Sequence, residues 1–69
     1  MTKQNEKDFR DRLITEKKEI DEKALKLSNF IGLSDEFDKL DAKRKELLRE
    51  QNDIMWQYSE ILGLRIAEF

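Results

Sequence analysis

The chain has 69 residues, 38% of them apolar and 43% charged, with two glycines and no proline, cysteine or histidine. A chain of this size holds one small domain at most, because it buries only about 60% of its extended surface on folding. Without cysteine or histidine there is no disulfide framework, thiol nucleophile, zinc-finger pattern or imidazole base.

No apolar run exceeds three residues, so no segment spans a bilayer. Phe9 and Leu13-Ile14 sit among charges, which is not the pattern of a secretion signal. The expectation is a soluble intracellular helical module. The net charge of −2 divides into +1 over residues 1–31 and −3 over 32–69. That balance argues against a general nucleic-acid or membrane binder, and an anionic ligand would need a local cluster of cations.

The first half places Phe9, Leu13, Ile20, Ala24, Leu27 and Ile31 on one helical face, with Glu16 and Lys17 in the gap. The spacing predicts a helix over about 5–31, started by Thr2 or Asn5 and ended by Gly32 in the left-handed conformation. Ser34 then reads as the cap of one helical turn within 34–40, where Phe37 and Leu40 lie three apart. Asp41 caps a second long helix over about 42–67. Two long helices joined by about ten residues make an antiparallel all-α hairpin.

The second helix carries more apolar surface than one neighbour covers. Ile61, Leu62, Leu64, Ile66 and Phe69 span roughly 200° of its wheel, against about 100° for a single packing stripe. Ile54 and Trp56 widen the excess. A two-helix unit this small seldom supplies its own core, so assembly into a homo-oligomeric bundle is expected.

Nothing points to catalysis. The hydroxyls of Thr15, Ser28, Ser34, Tyr58 and Ser59 have no histidine to activate them. Carboxylate pairs such as Glu16–Glu19 or Asp35–Asp38 lack the glycine-turned loop of a calcium site, so no metal or other cofactor is expected. Two groups of residues invite a binding role. Gln51, Tyr58 and Arg65 recur every seven residues along one line of the second helix, with Arg44 a further step back. They read either as a buried register-setting Gln51 with Arg65 reaching out from the rim, or as the lining of a polar cavity between chains. Phe9 and Arg12 are neighbours three apart, as are Lys23 and Lys26. An aromatic plane beside cationic donors suits a nucleotide, although ordinary core and surface explain the same spacing.

The segments from Phe9 to Leu27 and from Leu47 to Arg65 resemble small phage and prophage hairpin proteins related to crAss-phage. That group is similar to the anti-CBASS and anti-Thoeris hairpin domain family of viral sponges for nucleotide immune signals. The marks are the aromatic at Phe9, with Arg12, Glu16, Glu19, Leu27, the Leu47-Leu48-Arg49 run, Gln51, Met55, Tyr58, Leu62 and Arg65. The resemblance implies a symmetric oligomer that encloses a cyclic dinucleotide or a cyclic ADP-ribose-type signal at subunit interfaces without cleaving it. Phe9 stands where cyclic-dinucleotide binders stack a tyrosine on a base, and it lacks the phenolic oxygen. Lys23 or Lys26 matches the lysine that meets phosphate, and Arg65 with Arg44 or Arg49 matches arginines lining a further site. The function expected is therefore sequestration of a nucleotide-derived defence signal in the cytoplasm of an infected bacterial host, by a protein whose partners are itself and that signal. The alternative is a structural or regulatory helical module that binds itself or a host protein with no small ligand.

Overall fold

A computed structural model describes residues 2–69, with side chains from Lys7 onward. It contains a long helix α1 (Thr2–Leu33), a single turn α2 (Asp35–Asp38) and a second long helix α3 (Ala42–Ala67). The long helices pack against each other in a rod of 54 × 15 × 13 Å. This is the antiparallel hairpin.

Local chemistry sets most of the boundaries. The Ser34 side chain accepts from the Glu36 amide to start α2, and Asp41 accepts from the Arg44 amide at 2.8 Å to start α3. Each supplies an acceptor for an amide that the helix itself leaves unpaired. The expected caps of α1 at Thr2 or Asn5 lie outside the described side chains. The first helix is longer than the expected 5–31 at both ends.

Gly32 is a correction. It does not terminate α1, no glycine has a positive φ, and the helix continues through Gly32 to Leu33. Termination instead falls on Ser34, whose extended backbone (φ −93°, ψ 129°) cannot propagate the helix. A Cβ on Gly32 would meet nothing within 4 Å. Gly32→Ala should therefore stabilise the fold by about 0.5–1 kcal/mol, by removing backbone freedom from the unfolded chain. A thermal melt reads this as a rise of a few degrees, and a fall would restore the left-handed reading.

The seam follows an alternating three-four spacing on both helices. On α1 it runs through Leu13, Lys17, Ile20, Ala24, Leu27 and Ile31, and on α3 through Leu48, Asn52, Met55, Ser59, Leu62 and Ile66, all buried or half-buried. This is the a/d repeat of a coiled coil. Ala24 is fully buried, which marks a close approach of the two backbones. At the closed end Phe37 folds under the hairpin, edge-on to Phe30 with centroids 5.9 Å apart. Lys45 and Arg49 from α3 cover the Phe37 ring at 5.8 and 5.2 Å.

Candidate functional site

Two polar stitches fix how the helices face each other. In the first, the Lys17 ammonium donates to Asp21 and to the Ser59 hydroxyl, both at 2.9 Å, and Ser59 donates to the other Asp21 oxygen. In the second, Asn52 donates to the Ala24 carbonyl at 2.9 Å and accepts from Ser28, whose oxygen accepts from the Trp56 indole at 3.1 Å. Among the described residues no buried side-chain donor or acceptor lacks a partner. A half-satisfied polar seam would be worse than an apolar one, so completeness matters here.

Lysine placed four residues before its acid is the less favourable order on an isolated helix. Ser59 on the opposite helix provides the missing reason for the Lys17–Asp21 pair, because it bonds both ends. The Ser59 hydrogen bond, then the Lys17 contact, hold the Asp21 carboxyl below its ordinary value of 3.8. Between the lowered folded value and the ordinary unfolded one, the unfolded chain binds more protons. The contribution is therefore complete above the ordinary value and lost as pH falls through the folded one. Asp21→Asn should lower the melting temperature at neutral pH, and its curve should meet that of the wild type in acid. Parallel curves down to about pH 2.5 would assign acid sensitivity to other carboxylates.

The triad of serine, lysine and aspartate is structural rather than nucleophilic. Ser59 is 4% exposed, and its proton is committed to Asp21. Lys17 donates to the Ser59 oxygen and is ion-paired with Asp21, so it is not poised to take the Ser59 proton.

Both stitches lie along one edge of the seam, where Asp21 and Ser28 of α1 meet Ser59, Asn52 and Trp56 of α3. Helical periodicity then puts Phe9, Lys23, Gln51, Tyr58 and Arg65 along the opposite edge, with Arg12 and Lys26 one line further out. The seven candidate residues thus share one broad face of the hairpin, and all are exposed. Phe9 and Arg12 are in contact, the guanidinium lying 5.7 Å from the ring centroid. The described hydrogen bonds and ion pairs join none of the others. Gln51 does not set the register from a buried position. That role belongs to its neighbour Asn52, one residue on and inside the seam.

No enclosed cavity surrounds the seven. A shallow groove of about 320 Å³ along α1 touches Arg12 and is otherwise lined by Asp11, Thr15, Glu16 and Glu19. A larger cleft of about 480 Å³ lies at the other edge, over Gly63, between Ile14, Lys17, Asp21 and Ile66. Among the described residues no group of three acidic side chains gathers as metal ligands would, and no helix is long and apolar enough to cross a membrane.

The polar seam was the part that sequence reasoning missed. Asn52, Ser59 and Ile66 recur every seven residues, as do Lys17, Ala24 and Ile31. The same spacing that singled out Gln51, Tyr58 and Arg65 therefore also marked the adjacent line.

Fold and surface together define a small antiparallel helical hairpin with an exposed polar-aromatic face and no assembled catalytic group among its described residues. The Sequestin family model matches residues 7–68, and the chain belongs to the Sequestin family. The family name denotes sequestration, a binding role rather than an enzymatic one. No curated protein and no solved structure matches the chain.

Proposed function

We propose that this Sequestin binds a nucleotide-derived immune signal, a cyclic dinucleotide or cyclic ADP-ribose-type molecule, and withholds it without cleavage. The observation that carries the reading is the gathering of Phe9, Arg12, Lys23, Lys26, Gln51, Tyr58 and Arg65 on one exposed face of a family member. Aromatic rings offer a base a stacking surface, and the cations offer phosphates charge-assisted hydrogen bonds. One hairpin does not surround a ligand of that size, so the site is shared between copies of the chain. Sequestration needs affinity and no chemistry, which fits a chain without histidine or cysteine. The setting that suits this activity is the cytoplasm of an infected bacterium, and a phage is the source that benefits.

A thermal-shift panel of cyclic dinucleotides and cyclic ADP-ribose isomers tests the proposal. A ligand at one hundred times its dissociation constant should raise the melting temperature by about 10–20 °C for a domain this small. Heating should then release the ligand chemically intact. No shift with any member of the panel would favour a self-associating interaction module, and a cleaved product would overturn sequestration.

A further inference from the structure

Helix α3 carries a second apolar stripe that its own hairpin does not cover. Leu47, Ile54 and Ile61 recur every seven residues and are 50%, 63% and 53% exposed. Tyr58 flanks them on one side and Leu64 on the other, both exposed. The stripe lies roughly 130° around the helix from the seam, so α1 cannot reach it. Together these side chains expose on the order of 500 Å², near the upper limit for a single apolar patch on a monomer.

We infer that a second copy of this chain covers the stripe, its α3 running antiparallel to the first about a two-fold axis at Ile54. This rests on the reading that copies share a ligand site, and it names the surface that joins them. The stripe is self-complementary under that operation. Ile54 meets Ile54, and Leu47 meets Ile61 of the second copy, as a two-fold interface requires. With its flanks the patch is a substantial part of the roughly 800 Å² per partner buried in a standard interface.

Charge favours the antiparallel sense. A parallel pairing would set Glu50 against Glu50, Arg44 against Arg44 and Arg65 against Arg65, and would align the two helix dipoles. The antiparallel pairing sets Glu50 opposite Gln57 and Gln51 opposite Tyr58. Like charges still meet at each end, where Lys43 and Arg44 both approach Arg65 of the second copy. Neither arginine has an ion-pair partner among the described residues. An anion held between them removes the repulsion, so anion binding and assembly are coupled at these two places.

Sedimentation of wild type and variants decides the matter. The wild type should self-associate, and Ile54→Glu should weaken association at least about 100-fold by placing two carboxylates at the axis. Ile54 is largely exposed, so helicity should survive, and Leu47→Lys provides a second variant. Ile14→Glu, on the other edge of the hairpin, should associate like the wild type. Arg44→Glu should tighten association, since the introduced carboxylate then faces Arg65 of the second copy. The same carboxylate builds a capping box with Asp41 that protects the fold. Inorganic pyrophosphate at constant ionic strength should tighten the wild type and leave Arg44→Glu unchanged.

A monomeric wild type, or an Ile54→Glu variant as associated as the wild type, would overturn this interface. A looser Arg44→Glu assembly or a wild type indifferent to pyrophosphate would overturn its antiparallel sense. If Ile54→Glu is monomeric yet binds nucleotide undiminished, the interface stands and the shared ligand site falls.

Discussion

Phe37→Ala is expected to destabilise the protein by about 3–5 kcal/mol, the range for removing a buried aromatic side chain. Phe37 is one of the few large side chains completely withdrawn from water, at 2% exposure. Its ring holds the α1–α3 connection against both helices: Phe30 meets it edge-on from α1, while Lys45 and Arg49 lie over it from α3. Losing it opens a cavity at the closed end and leaves two cations without the aromatic face they cover. A small domain has only about 5–15 kcal/mol in total, so the loss takes a large share of stability. Circular dichroism at fixed protein concentration should show a melt lowered by well over about 10 °C, or no cooperative melt. Phe37→Leu keeps the apolar volume and should recover most of the loss. A Phe37→Ala melt within a few degrees of the wild type would mean that the connection merely rests on the hairpin.

Leu62→Ala should cost about 2–5 kcal/mol, although the residue lies in the open half of the rod. Leu62 is 0% exposed and sits opposite the Leu13–Lys17 turn of α1, where the Lys17–Ser59 bond fixes the register. Polar stitches line the other edge of this seam, and they do not move to fill a gap. The cavity therefore persists, and its cost adds to the lost transfer energy. Leu33, 82% exposed at the end of α1, is the control. Leu33→Ala should change stability by less than about 0.5 kcal/mol. Chemical denaturation of the pair measures both, and equal losses would place the apolar core elsewhere.

The two predictions concern residues of different legibility. Phe37 stands out in the sequence as an aromatic in a short polar connection, three residues from Leu40. Its role as the floor of the hairpin depends on Phe30, Lys45 and Arg49 arriving from separate helices. Leu62 stands out as part of an apolar cluster, but the cluster alone does not separate it from Ile61. One is fully buried and the other half exposed, although they are adjacent.

Helix identity, the cap at Asp41, the extent of α3 and the excess of apolar surface were determined by the sequence itself. Each depends on neighbours a few residues away: an acceptor for a free amide, a periodic stripe, the lack of any proline. Only the tertiary structure decided which of two adjacent seven-residue lines on α3 turned inward. The line through Asn52 and Ser59 faces α1, and the line through Gln51 and Tyr58 faces outward. The physical reason is that Asn52 and Ser59 find complementary polar partners on α1, in Ala24, Ser28, Asp21 and Lys17, and these lie between 24 and 42 positions away along the chain. Local spacing measures how a helix divides its faces. It cannot say what waits opposite them.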